Sequence, residues 1–562
     1  MRGIKEIILG AAVLVISAFA MTMNVYAGDD VAIDATNFPD ENFRTYVSAK
    51  FDIDKDGVLQ NTEAEKVTTI SVANKSIADL KGVEYFTKLQ KLTCNGNKLT
   101  SLDLSKNTKL TYLACYYNKL SSIDLSKNTA LTKLYIRQNS LTSLDLSKNT
   151  ALTNLTCGQN KLVNLDLSKN TSLAYVSCDE NSFTSLDVSK LPSLYFLSCY
   201  GNMITNLDVS KNPKLEELYC YRNNLTNLDV SKNSVLERMR CGQNNLTSLD
   251  VSKNAKLAYL HCTACKITRI DISNNTALEI LNIGWNKIAS IDISKNNNLK
   301  EFEINSNQLT TVDVSKNVNL QKLNLDGNKL TTLDTSKNVN LTSLSCYSNY
   351  LTSMDVSKNT KLTHCNVGSH EVTAKVQEKD GKQTIDLSAY NIDAAMITSV
   401  SNGTYNETTK KIELATKVSD GDVVTYKYSV GYLSRLMTVN ITVSISSPVE
   451  PTNPPTQPPT QPPTVPQTEP PTTAPTTEAP TIAPTEPDTT VTPTESESEA
   501  ATTEVSTTEE IITDAITDAA SEGKDDSGKP NWLIPVIVVA CVAVVGIVIV
   551  IIVVKRKKKD KE

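Results

Sequence analysis

From Leu89 to Lys361 the chain repeats a 21-residue unit thirteen times without a break, each copy a variant of LxxLxCxxNxLxxLDLSKNxx. A unit this short cannot cover its own apolar face, so each copy must lean on its neighbours, and the chain has to build an elongated, curved ladder. Positions three to seven of the unit predict a short strand, as in Lys91-Leu92-Thr93-Cys94-Asn95, with Leu and Cys turned inward and the alternate residues outward. Stacking in register joins these strands into one parallel sheet. Position nine is Asn in twelve of the thirteen units, with Cys265 the exception. A buried amide column suits that position because its donors and acceptors can pair with the backbone of successive turns. Asp103 to Asp355 and Ser105 to Ser357 are the same in every copy, which marks them as scaffold.

Nine of the 12 cysteines fall on position six: Cys94, Cys115, Cys157, Cys178, Cys199, Cys220, Cys241, Cys262 and Cys346. Ile136, Ile283, Ile304 and Leu325 fill the same position elsewhere, so the thiols are expected as small buried hydrophobes in a column rather than as disulfides. The LxxLx[CIL]xxNxL segment resembles the leucine-rich repeat, and the LDLSKN half resembles the short bacterial cell-surface version, similar in layout to internalins. This resemblance covers about half the chain. It implies a β-rich, α/β-type repeat fold, a leucine-rich repeat solenoid over 67–368 with one parallel sheet, and attachment to a host or neighbouring-cell protein.

Variation between copies at outward strand positions cannot be required for stacking, and there the chain is aromatic although only 5% of all its residues are Phe, Trp or Tyr. The candidate ligand-binding residues are Tyr112, Tyr116, Tyr117, Tyr135, Arg137, Tyr175, Phe196, Tyr200, Tyr219, Tyr221, Arg222, Tyr259 and Trp285. Tyr, Trp and Arg anchor protein interfaces, and Tyr or Trp faces also stack on sugars. The alternative is that the rings only brace neighbouring strands. Thirteen strands at about 4.8 Å span roughly 60 Å, a length suited to an extracellular protein domain or a long glycan rather than a metabolite. Nucleic acid does not fit, because the net charge is -6 and the unit spreads its Asp and Lys evenly.

Ahead of the ladder, over 28–66, the segment Asp52-Ile53-Asp54-Lys55-Asp56-Gly57-Val58-Leu59-Gln60-Asn61-Thr62-Glu63 matches the twelve-residue EF-hand calcium loop. Asp52, Asp54, Asp56, the Val58 carbonyl, Gln60 (through water) and a bidentate Glu63 could surround a structural Ca²⁺, with Gly57 at the sharp turn. The alternative is an acidic loop kept for its geometry. Phe43, Tyr46, Val47 and Phe51 recur at helical spacing, Pro39 and Asp40 suit the helix start, and the exiting helix must be short. The expected role of this EF-hand-like helical cap is to cover the first rung.

Past a decayed fourteenth unit, 369–447 alternates apolar and polar residues, as in Val424, Tyr426, Tyr428 and Val430, and predicts a small β-sandwich that resembles an Ig-like module. Sixteen of the 21 prolines crowd into Pro448 to Pro493, which makes 448–530 an extended Pro/Thr/Glu-rich stalk. Met1 to Ala27 reads as a secretory signal peptide, with a retained first helix as its rival. The apolar run in 531–554, followed by the basic tail 555–562, predicts one membrane-spanning helix with the folded part outside a bacterial plasma membrane and the tail in the cytoplasm. A sortase-type LPxTG signal is missing before that run. Only three histidines exist, none spaced for nucleophile, acid and base, and the one CxxC (Cys262, Cys265) is explained by the repeat register, so a non-catalytic binding protein is the expectation.

Overall fold

The computed structural model describes residues 30–390, 392–432 and 435–445. Within them a 15-stranded sheet runs from Thr69–Ser71 through Lys91–Thr93 to His364–Asn366, one three-residue strand per rung, every neighbouring pair parallel. Pairing is in register at the repeat length, as for Leu218 with Leu197 and Met239. The strand is shorter than its expected five residues, yet the interstrand bonds continue beyond it: Cys94 N–H donates to the Ala114 carbonyl at 2.8 Å and Gly96 N–H to that of Tyr116 at 2.9 Å. The rung then turns, because the backbone at position eight is left-handed in all thirteen units, from Gly96 to Ser348.

Inside, the Leu of positions one, four and eleven and the position-six residues are fully buried, as in Leu215, Leu218, Cys220 and Leu225. Eleven cysteines are free and buried, and the twelfth, Cys541, lies outside the described residues. Two amide columns flank this core. Asn223 Nδ2 donates to the carbonyls of Cys199 (3.0 Å) and Cys220 (3.1 Å) while its Oδ1 accepts from Ile204 N–H (2.9 Å), so one side chain ties two rungs. The second column, Asn107 through Asn359, is wholly buried; Asn128 Nδ2 donates to the carbonyls of Leu104 (3.0 Å) and Asn107 (2.9 Å). Each scaffold Asp takes the backbone N–H two residues on, as Asp103 does from Ser105 at 2.8 Å, and at Asp103 those hydrogen bonds hold the carboxyl below the usual range.

Helix α1, Glu41–Phe51, starts where Asp40 accepts from Phe43 N–H at 3.0 Å, and it buries Phe43 and Val47. A loop leads to the four-residue helix α2, Asn61–Ala64. The cap reaches the first rung through Asp40, which accepts from Ala78 N–H at 2.7 Å. Phe38 packs onto Gly82, whose left-handed backbone (φ 103°) and missing side chain leave room that a Cβ would close to 2.2 Å.

At the other end, seven strands form a β module in which the long strand Ser369–Lys379 pairs in parallel with Leu436–Ser444 over its first half and antiparallel with Lys382–Asp386 over its second. It is joined to the last rungs by Val356 N–H on the Val430 carbonyl (3.0 Å) and by Tyr426 Oη on that of Thr352 (2.6 Å).

One expectation needs correction. No helix among the described residues is long and apolar enough to cross a membrane; the longest, α1, has 11 residues, about 17 Å at 1.5 Å per residue against a hydrocarbon core of about 30 Å. The single-pass plasma-membrane placement is therefore withdrawn. The segment 531–554 on which it rested lies outside the described residues, as do the signal-peptide segment 1–27, the Pro-rich segment 448–530 and the tail 555–562.

Candidate functional site

Outward residues at positions three, five and seven form the open face of the sheet, and their side chains meet across rungs because parallel pairing sets equal positions side by side. The rings of Tyr175 and Phe196 stack at 4.2 Å and 4°, Phe196 meets Tyr219 edge-on at 5.5 Å, and the Arg240 guanidinium lies 5.5 Å from the Tyr219 ring and 5.1 Å from that of Tyr259. An unbroken aromatic and cationic row thus crosses five consecutive rungs. At the N-terminal end Lys91 lies over Tyr112 (4.7 Å), which packs on Tyr135 (5.3 Å).

A second row follows position seven. Arg137 reaches over Gly158 on the next rung to the carboxylate of Asp179 on the one after, and it also bonds Tyr200 Oη at 3.4 Å. Asp179 accepts from Ser177 Oγ at 2.5 Å, and Tyr200 stacks on Tyr221 at 4.4 Å and 7°. Glycine leaves room for the two charges to meet: a Cβ on residue 158 would stand 2.8 Å from Asp179 Oδ2 and 2.9 Å from Arg137 Nη1 and would push them aside. The pair is withdrawn from water, with the Arg137 side chain 15% and that of Asp179 1% exposed. Burial pulls the guanidinium pKa down, but the Asp179 charge and the Tyr200 hydroxyl outweigh it and hold the pKa above its ordinary value. Burial pushes the Tyr200 hydroxyl up, as it does that of Tyr219, which also donates to Glu217. These phenols stay protonated at physiological pH.

Three expected site residues sit elsewhere. Tyr117, Arg222 and Trp285 occupy position eight, in the turn past the strand, with φ of 55°, 55° and 56°. They line the edge where each rung leaves the sheet, so the face comprises the other ten. The sequence places Asp179 on this face as a negative charge, but Gly158 was not among the expected residues; its signal is a Gly one rung from a cation and an acid at the same repeat position.

In the cap, carboxylate oxygens of Asp52, Asp54 and Glu63 lie within 4.8 Å of one another. Asp52 and Glu63 are 6% and 5% exposed. Glu63 accepts from the backbone N–H of Ile53 (2.7 Å) and Gln60 (3.1 Å), while Gln60 Nε2 donates to Asp54 (2.8 Å) and Asp56 (3.3 Å). Val58 pairs with Ala32 in a two-stranded sheet.

No family profile matches the sequence. Internalin J of Listeria monocytogenes serotype 4b (strain F2365) is 41% identical over 71 residues, 13% of this chain and only 8% of that protein's length. The functional domain of InlJ from Listeria monocytogenes, described as including a cysteine ladder, superposes with a TM-score of 0.63 at 32% identity, over 75% of this chain and all of that domain. The internalin InlF of strain 4b F2365 follows at 26% identity and a TM-score of 0.52, over 59% of this chain and 96% of its own. With thirteen in-register rungs, a cysteine column and a whole solved domain covered at this identity, the chain belongs to the internalin-like leucine-rich repeat proteins.

Proposed function

We propose that the protein is a non-catalytic surface adhesin or receptor that binds an extracellular protein through the open face of its ladder. The observation that carries this reading is the row Tyr175, Phe196, Tyr219, Arg240 and Tyr259, in which rings and a guanidinium are fixed against one another before any partner arrives. Fixed aromatic and Arg side chains lose little rotamer freedom on binding, which is what makes them interface anchors. A role in bracing the sheet does not compete with this, since the contacts that brace the rungs also pre-arrange the surface. Changing Tyr116, Tyr200 and Tyr219 together to Ala should abolish retention of surface proteins from a neighbouring or host cell while the fold persists. Undiminished retention by a folded variant refutes the reading.

We also propose that the cap holds one structural Ca²⁺, with Asp52, Asp54, Asp56, the Val58 carbonyl, Gln60 and Glu63 as donors. Supporting this, Asp52 and Glu63 are buried together with no basic side chain in ion-pair contact with the loop among the described residues, a charge balance that a divalent cation corrects. In this reading the short α2 makes the loop an abbreviated EF-hand serving the cap, and the β module serves as an Ig-like closure of the far end.

A further inference from the structure

The edge where each rung leaves the sheet is chemically unlike the sheet itself. Position ten of the thirteen units carries six lysines and no carboxylate. In the last five units this edge presents Lys266, Trp285, Lys287, Lys329 and Tyr350, all exposed. Neighbouring members of the column can meet: Lys266 Nζ donates to Asn245 Oδ1, the same position one rung back, at 3.0 Å. None of Lys266, Lys287 and Lys329 takes part in an ion pair among the described residues. Asp326, the carboxylate nearest in register, is turned onto its own ladder, accepting from Ser345 Oγ (2.7 Å) and Tyr347 N–H (2.7 Å). The strand-entry edge carries carboxylates at Glu216, Glu237 and Glu279, the last paired with Lys300 at 2.7 Å.

The exposed indole of Trp285 supplies a second pointer. The turn demands a left-handed residue, and three units meet the demand with Gly96, Gly201 and Gly327. The other ten meet it with L-residues, and among these Trp285, at φ 56°, is 65% exposed. A bulky L-residue in this region costs steric energy, and an exposed indole returns no core packing for it. Stability therefore does not explain the ring.

We propose that this edge is a second binding strip, separate from the sheet face, and that it takes an acidic polysaccharide. Sugar rings would stack on Trp285 and Tyr350, while anionic substituents pair with the lysines. Rungs about 4.8 Å apart put Lys266 and Lys287 on adjacent rungs with Lys329 two further on, a row of charge along the ladder that a linear polyanion can follow.

Affinity electrophoresis of the full chain through gels containing polygalacturonate, dextran sulfate or neutral dextran tests this. The expected result is retardation by polygalacturonate or dextran sulfate, weakening as salt rises, with none in neutral dextran; which polyanion retards more identifies the anionic group as carboxylate or sulfate. Lys266→Gln with Lys287→Gln should raise Kd at least tenfold. Trp285→Asn should raise it at least fivefold while leaving Tm unchanged or higher, because Asn tolerates the left-handed backbone. Tyr219→Ala, on the sheet face, should leave it unchanged, which keeps this result distinct from any failure of the sheet-face reading. No retardation by either polyanion, equal retardation in neutral dextran, or unchanged Kd in the lysine pair overturns the proposal, and a lowered Tm for Trp285→Asn overturns the argument from strain.

Discussion

Asp179→Ala is the sharpest test of the sheet face, because it removes one member of a charge pair that spans two rungs. The carboxylate is 1% exposed and the Arg137 side chain 15%, so the substitution strands a nearly buried guanidinium and deprives Ser177 Oγ of its acceptor. Removing one side of a buried pair costs about 3–5 kcal/mol, chiefly as the uncompensated charge left behind. Arg137→Ala should cost about as much. The double variant should lose far less than the sum, leaving a coupling energy of about 2–3 kcal/mol. Urea unfolding of the four proteins, compared at matching m-values, gives the cycle directly. Gly158→Ala should behave like a weakened pair, since its Cβ would sit 2.8 Å from Asp179 Oδ2. A loss under about 1 kcal/mol for Asp179→Ala, or strict additivity in the cycle, would show that the two charges are solvated and that the network does not hold the face in shape.

Glu63→Gln should weaken calcium binding to the cap and abolish the rise in Tm that calcium gives the parent chain; a parent with no calcium-dependent Tm removes the metal from the account. His370 is fully buried, and burial holds its pKa below the ordinary 6.5 despite its bond to the Val367 carbonyl. The unfolded chain therefore binds more protons than the folded one below that pH, so stability should fall as pH drops from 6.5, and His370→Leu should flatten the Tm profile between pH 7.5 and 5 relative to the parent. Burial raises the Cys94 thiol to about 12, and all the column thiols are buried, so iodoacetamide at pH 8 should label native protein only at its rate of opening; rapid native labelling contradicts the column. Asn212→Ala leaves the Val188 and Leu191 carbonyls without their donor inside the core and should cost about 2–4 kcal/mol by urea midpoint, well above an exposed Asn→Ala control.

The rungs were legible because each inward Leu and Cys recurs at 21 residues, so periodicity alone decides which side of the strand is apolar. The position-nine amides were legible for the same reason, and α1 from Pro39-Asp40 with the spacing of Phe43 and Val47. The second amide column, Asn107 to Asn359, is just as regular but sits in the polar-looking LDLSKN half, where composition suggests exposure and only the packed turn shows complete burial. The left-handed backbone at position eight was hidden because Gln, Glu, Ser and Trp occupy it as well as Gly, and it is what displaces Tyr117, Arg222 and Trp285 from the face to the edge. The bridge from Arg137 to Asp179 joins residues 42 apart and depends on the absence of a side chain between them. Such a relation exists only once the rungs are stacked.

The central claim is that the open face of the sheet is where a protein partner docks. Oxidative footprinting of the full chain, free and after capture of a surface-protein extract, reads that face directly. The account predicts protection of Tyr175, Phe196, Tyr219 and Tyr259 with Tyr405 and Tyr432 of the β module unchanged; protection confined to the β module, with those four rings as reactive as in the free chain, contradicts it.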